Sequence, residues 1–234
     1  MISIIIPTLN EENHLPLLLQ SIKNQDFKGE YEVIVADAGS SDKTIEIARS
    51  FGCKITKGGL PAKGRNEGAK IAKGDLFLFV DADVILSKDF LRKAIEEFSS
   101  RDLDCAGFLA KPSSKKQIYK FIFWAYNSFA ILSERFFPCG WMAILTRRET
   151  HFKTRGFDEE IKIGEDHWYV KNAQKIGNFG VIKSAKIIGS TRRFEKDGTI
   201  ITCLKYIFVG LYMLFFGPLK RNIIKYEFNH YKDN

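Results

Sequence analysis

Leu76-Phe77-Leu78-Phe79-Val80-Asp81-Ala82-Asp83 decides how the rest of the chain is read. Five consecutive apolar residues match a strand buried on both faces, as in a parallel sheet, where alternation with polar residues is not needed. Two acids one residue apart end the run. Side chains alternate along a strand, so in an extended chain Asp81 and Asp83 project to the same side. Such a carboxylate pair at a sheet's end is a hard oxygen site, suited to a divalent cation that bridges phosphates. The plain alternative is a strand that simply ends in a turn, because Asp favours turns and short motifs recur by chance.

The upstream chain alternates strand and helix. Residues 2–6 read as a buried strand broken at Pro7-Thr8-Leu9-Asn10. Leu15, Leu18, Leu19 and Ile22 then recur at helical spacing, with Pro16 tolerated in the first turn if Asn13 is the cap. A second strand over 31–36 closes at Asp37-Ala38-Gly39-Ser40-Ser41-Asp42. Ser41 is the expected N-cap of a helix through Phe51, which Gly52 stops. A short strand over 53–56, a loop with Gly58, Gly59 and Pro61, and a helix over 62–73 lead into the acid-ended strand, and Ser87 opens a helix through about Phe98. The alternation predicts an α/β fold with a mostly parallel sheet flanked by helices. Ligands of such sheets bind beyond the carboxyl ends of the strands, where Thr8, Asp37 and Asp81 all fall.

Beyond Arg101 the pattern loosens. The expected elements are a strand over 103–109, an aromatic-rich helix over 118–132, a strand over 141–146 and a short helix over 147–154. A helix from Glu165-Asp166 to Ile176, an extended stretch over 181–188 and an apolar helix over 199–217 follow, then a basic tail with Lys220, Arg221 and Lys225. Acids suit a first helical turn, so helix stabilisation is the alternative reading of Glu165 and Asp166.

Length and composition allow one large domain, or a domain with an appendage: 234 residues, 45% apolar and 27% charged. The net charge of +8 suggests an anionic partner: nucleotide, nucleic acid or acidic membrane surface. Cys53, Cys105, Cys139 and Cys203 have neither metal nor redox spacing, which fits reduced thiols in a cytoplasmic protein. The apolar start is too short for a signal peptide and ends at Pro7.

Four ordered blocks resemble the family 2 glycosyltransferases, inverting enzymes with a Rossmann-like GT-A fold. They are Ile4-Ile5-Ile6-Pro7-Thr8-Leu9-Asn10-Glu11-Glu12; Glu32 through Asp42; Gly64-Arg65-Asn66-Glu67-Gly68-Ala69 leading to Gly74-Asp75; and Phe79-Val80-Asp81-Ala82-Asp83. Gly156-Phe157-Asp158-Glu159 with Gly164-Glu165-Asp166 is a weaker fifth. Ala38 departs from the pattern, standing where the family often has a second acid. The Gln-x-x-Arg-Trp signature of processive synthases is absent, and Ser190-Thr191-Arg192-Arg193-Phe194 stands in a comparable late position, which implies a single sugar transfer.

The resemblance implies a GT-A domain over 1–198, with a nucleotide-binding half over 1–100, an acceptor-side half over 101–198, and a membrane-associated helix and tail over 199–234. It implies a UDP- or GDP-sugar donor, a lipid-linked or glycan acceptor, no nucleic acid, and a place at the cytoplasmic face of a membrane. Mg²⁺ or Mn²⁺ would be held by Asp83, with Asp81 on the ribose side or in the metal's outer shell. Pro7, Thr8, Asn10, Glu11 and Asp37 would line the base and ribose pocket. Arg65 would grip nucleotide or diphosphate with its two-pronged guanidinium. Asp166 would take the acceptor's proton during inversion, with Glu165 the second choice. A lipid-phosphate acceptor is already ionised, and Asp166 would then orient the acceptor or the metal. Arg192 and Arg193, in a polar loop, would close on the diphosphate. The bland alternatives are solvated arginines, a surface Lys63, solvated Glu11 and Glu12, and a structural His167. His14, His151 and His230 form no recognisable metal set.

Two other classes compete. A nucleotidyltransferase would use the same acids, but no Gly-rich loop follows the first strand. A non-catalytic membrane or nucleic-acid binding protein is compatible with the charge. For residues 200–217 an interfacial anchor, a membrane span and a buried or dimer helix all remain open, since Lys205 interrupts the apolar run.

Overall fold

The computed structural model describes residues 1–220; Arg221, Lys225 and His230 lie outside the described residues. The apolar run forms the fourth strand of a mixed eight-stranded sheet. In chain order the strands are β1 (Ile2–Thr8), β2 (Tyr31–Asp37), β3 (Lys54–Lys57), β4 (Leu76–Val80), β5 (Val84–Leu86), β6 (Cys105–Pro112), β7 (Ala143–Arg147) and β8 (Phe179–Gly189). Their spatial order is β3-β2-β1-β4-β7-β6-β8-β5. The first four are parallel, as the helical crossovers between them require. The chain then reverses: β7 runs antiparallel to both β4 and β6, β8 is parallel to β6, and β5 is antiparallel to the end of β8.

The continuous apolar runs are explained by two cores. Ile4 and Ile6 of β1 pack on one side with Leu78 and Val80 of β4, while Ile5, Phe77 and Phe79 pack on the other. The first core is closed by α1 (Leu15–Lys23), α2 (Thr44–Ser50) and α4 (Phe90–Ser100). The second is closed by α3 (Pro61–Ile71) and α7 (Glu165–Gln174). The other helices are α5 (Gln117–Ser133), α6 (Arg148–Lys153), α8 (Arg192–Lys196) and α9 (Thr199–Phe216). His151 of α6 is buried against Phe77 and Phe79, and burial pushes its imidazole down to about 4. All four cysteines are free thiols.

The expected helix starts shift by one or two residues. His14 precedes α1 in place of Asn13, and Pro16 does sit in its first turn. Lys43 precedes α2 in place of Ser41, while the Asp42 carboxylate accepts the Thr44 N–H at 3.0 Å. Asp89 precedes α4, and Ser87 donates its hydroxyl to Asp89. Strand β5 is absent from the sequence reading, because three residues after a turn carry no pattern; its partner β8 makes it a strand.

Candidate active site

The carboxyl ends of β1 and β2 are tied together by their own loops. The Asp37 carboxylate accepts four hydrogen bonds: from the Thr8 hydroxyl at 3.0 Å, the Ser40 hydroxyl at 2.6 Å, and the N–H groups of Gly39 and Ser40 at 2.8 Å each. Those donors match the roughly four acceptor positions of a carboxylate, so a nucleobase N–H would have to share one. Asn10 adopts φ 55°, a left-handed conformation that Asn tolerates better than most residues. Its N–H donates to the Ser40 hydroxyl at 2.8 Å, and its side-chain oxygen accepts the Ser41 N–H at 2.9 Å. Glu12 is likewise structural, accepting the Lys43 N–H at 3.1 Å.

Helix α3 reaches this end of the sheet because Gly64 lies against Pro7: a Cβ there would fall 3.0 Å from the Pro7 Cβ. The close approach delivers the next residue, Arg65, into the interior, only 5% exposed; Lys63 stays on the surface. Arg65 Nη2 donates to Asp81 at 2.8 Å and Nη1 to Glu165 at 2.7 Å, and its guanidinium lies 5.2 Å from the Phe157 ring centroid. One arginine thus joins α3, the end of β4 and the start of α7.

The condition under which Asp81 and Asp83 would project to the same side, a chain still extended there, is not met. The paired register with β7 ends at Val80, the Asp81 N–H still donates to the Met142 carbonyl at 2.9 Å, and Ala82-Asp83 form a turn. Each acid meets a different arginine, Asp81 with Arg65 and Asp83 with Arg192 at 3.1 Å. They still sense one another. Burial, together with the charges of Asp83 and Asp166, pushes the Asp81 carboxyl up to about 6 against the pull of Arg65, although a third of its side chain (34%) reaches solvent.

Gly164, at φ +79°, turns the chain into α7 and presents two unlike acids. Burial and the neighbouring Asp166 charge raise the Glu165 carboxyl despite Arg65. Burial opposes ionisation of Asp166 as well, but the adjacent His167 charge and hydrogen bonds hold it low. Asp166 Oδ1 accepts both the His167 N–H at 2.7 Å and Nδ1 at 2.9 Å, so first-turn stabilisation and a place in the acid cluster coexist. His167 Nε2 sits 3.4 Å from the Tyr126 hydroxyl. Although burial lowers it, the Asp166 charge raises the imidazole to about 10.

Arg192 and Arg193 lie in α8, a short helix where a loop was expected. Arg192 donates from Nη1 and Nη2 to the two oxygens of Glu11, at 3.0 and 2.6 Å, and its Nη1 is 3.3 Å from His14 Nδ1. Burial raises the Glu11 carboxyl, but His14 and Arg192 outweigh it and hold it low. Glu11 therefore belongs to an ion-pair network and is not a solvated helix-start acid. Arg193 is half-buried beside Arg192. Sequence reasoning missed Phe157, Tyr126 and the His14–Glu11–Arg192 contact; of these, only the i, i+3 spacing of Glu11 and His14 was a usable signal.

The family model described as Glycosyl transferase family 2 matches residues 3–152. Among curated relatives, the poly(ribitol-phosphate) beta-N-acetylglucosaminyltransferase TarS of Staphylococcus aureus is 40% identical over 101 residues, 39% of this chain and 18% of that protein. A dolichyl N-acetyl-alpha-D-glucosaminyl phosphate 3-beta-D-2,3-diacetamido-2,3-dideoxy-beta-D-glucuronosyltransferase of Methanococcus voltae is 35% identical over 107 residues, 42% of this chain and 33% of that protein. The chain thus spans a third or less of the length of these relatives. The S. aureus TarS 1–349 structure with UDP-GlcNAc aligns at TM-score 0.67 and 26% identity, over 81% of this chain and 58% of that one. A Pyrobaculum calidifontis mannosyltransferase solved with GDP-Man and Mn²⁺ aligns at TM-score 0.63 over 80% of this chain and 56% of that one, and at 18% identity the likeness is one of fold alone. The matched region covers more than half of the chain and contains the strand ends described above, and the protein therefore belongs to glycosyl transferase family 2, with a GT-A fold.

Proposed function

We propose that this protein transfers a single sugar, with inversion, from a nucleoside-diphosphate donor to a lipid-linked or glycan acceptor at the cytoplasmic face of a membrane. The observation that carries the reading is the convergence of Asp81, Asp83, Glu165 and Asp166 on Arg65 and Arg192 at the carboxyl ends of the parallel strands. Charge of both signs is concentrated there, as a reaction that separates a diphosphate from a sugar requires. Pro7, Thr8, Asn10, Glu11 and Asp37 are the candidates for the base and ribose side. Thr8 and Asn10 act chiefly by fixing the Asp37 loop.

Asp83 and Asp81 would hold Mg²⁺ or Mn²⁺. The arginine nitrogens at both carboxylates mark where positive charge is favoured. Among the described residues no third His, Cys, Asp or Glu completes a cage, which fits a cation held by one or two carboxylates plus substrate phosphates. When bound, the cation neutralises charge building on the departing diphosphate. Arg192 lies on Oδ2 of Asp83 and would have to give up that oxygen if the cation took it; Glu11 holds its guanidinium at this strand end, where it would pair with phosphate oxygens, with Arg193 beside it. Asp166, held ionised by His167, takes the acceptor hydroxyl's proton on Oδ2, the oxygen His167 does not engage.

The test is thermal stability measured with UDP, GDP and their sugars, with and without Mn²⁺. Metal-dependent stabilisation by one donor is expected, with loss of turnover in Asp83→Ala. Stabilisation by none of them, or release of pyrophosphate from a nucleoside triphosphate, would overturn the assignment.

A further inference from the structure

Two helices carry outer faces far too apolar for a surface that meets only water. On α9, Ile200, Leu204, Ile207, Leu211 and Phe215 are 76, 61, 58, 52 and 73% exposed. Their spacing makes one stripe along the helix, and Lys205 lies off it, on the half-buried side. On α5, Ile118, Phe121, Trp124 and Leu132 are 52, 61, 62 and 81% exposed, again along one stripe. Contiguous apolar surface of this kind marks an interaction site. The two helices are joined through α8: the Phe194 ring lies 5.9 Å from Tyr119 of α5 and 6.2 Å from Tyr206 of α9.

The packing selects among occupants. The opposite face of α9 is buried, with Val209 and Met213 against Ile163 and Leu219. A Cβ at Gly164 would fall 2.8 Å from the Met213 sulfur. A helix fastened along one side to the sheet domain cannot be ringed by lipid, and 18 residues reach only about 27 Å, short of the ~30 Å hydrocarbon core. A span is therefore disfavoured on two counts. A second copy is disfavoured by charge. Lys115, Lys116 and Lys120 stand exposed around the start of the α5 stripe. Self-pairing through this face would gather like charges, whereas anionic headgroups complement them.

We infer that the outer faces of α5 and α9 dock the protein flat on an anionic lipid bilayer, with the apolar stripes in the headgroup–acyl boundary and the lysines on the headgroups. Because the buried face of α9 abuts Gly164, two residues before Asp166, docking also places the Asp166 end of the acid cluster about one helix diameter (~10 Å) from the bilayer. Its meaning for a lipid-linked acceptor rests on the transferase reading above; the docking itself does not.

Flotation of the full chain with phosphatidylcholine vesicles, with and without phosphatidylglycerol, tests this. Binding is expected with phosphatidylglycerol and should weaken with salt. The double variant Leu204→Glu/Leu211→Glu should lose at least ~10-fold in vesicle affinity, and Lys115→Glu/Lys116→Glu/Lys120→Glu should lose the preference for the anionic lipid. All these positions are exposed, so thermal melts should match the parent's. Three results would overturn the inference: a monomer that floats with neither vesicle, a stable dimer that the double Glu variant dissociates, or retention in the bilayer through alkaline extraction. Donor-induced thermal stabilisation without vesicles reads the transferase proposal separately. A chain that floats but binds no nucleotide sugar keeps the docking and loses the transferase, and one that binds donor but does not float does the reverse.

Discussion

Asp37 and Asp81 end the strands on either side of β1, yet they are held in opposite ways. Asp37 is fixed by four neutral donors, all from its own loop or from neighbouring Thr8. Asp81 is fixed by one arginine that also binds Glu165, 100 residues further along the chain from Arg65. Neutral donors lock a carboxylate without altering the charge around it. An arginine bridge couples α3, β4 and α7, so any added cation or anion is felt by all three. The first arrangement suits a rigid wall, the second a centre where charge has to move.

The largest effect that tests this contrast should come from Arg65→Ala, which leaves Asp81 and Glu165 without their shared cation. A loss of about 3–5 kcal/mol in urea unfolding is expected, and Arg65→Lys should recover only part, because one ammonium cannot reproduce both contacts. A loss below about 1 kcal/mol would mean the bridge does not couple the three elements.

Next comes the alkaline limb at His167, which faces Asp166, Tyr126 and Cys139. Its folded-state pKa, about 10, lies above the ordinary 6.5. The stabilisation is therefore complete below pH 6.5 and drains away as pH rises through about 10. His167→Phe should flatten the melting temperature across that window; an unchanged slope would remove the Asp166–His167 ion pair from the account.

Asp37→Asn should cost about 2 kcal/mol, because the amide NH₂ would oppose part of a ring of donors that the carboxylate satisfies. Chemical denaturation checks it, and nucleotide binding should fall with stability if the wall is passive. The smallest effect is expected from Arg192→Ala, about 1 kcal/mol at this partly buried surface site, accompanied by tighter Mn²⁺ binding in calorimetry, since a cation that competes for Asp83 is gone. Weaker Mn²⁺ binding would instead make Arg192 part of the cation's surroundings.

Much of the first hundred residues was legible because the information there is local. Apolar runs long enough for two-faced strands, helices with clean spacing and acids at strand ends all sit within a few residues of one another. Strand β5 was not, because three residues carry no period until β8 pairs with them. Nor was α8, whose five residues are ordered by Phe194 packing between Tyr119 and Tyr206. The capping residues shifted because the Ser41 hydroxyl turns to Asn10 of another loop and the Ser87 hydroxyl to Asp89, so neither caps the helix that follows.

For Asp81-Ala82-Asp83 the division is plain. By itself the sequence determined that two carboxylates end a central strand, because five apolar residues must be buried on both sides and the first polar ones must emerge at its edge. Only long-range packing made each acid face a different arginine: the close approach of Gly64 to Pro7 brings Arg65 of α3, and the sheet's reversal after β4 brings Arg192 of α8, over the same strand ends. Local pattern sets which side chains leave the core, and long-range packing sets what they meet there.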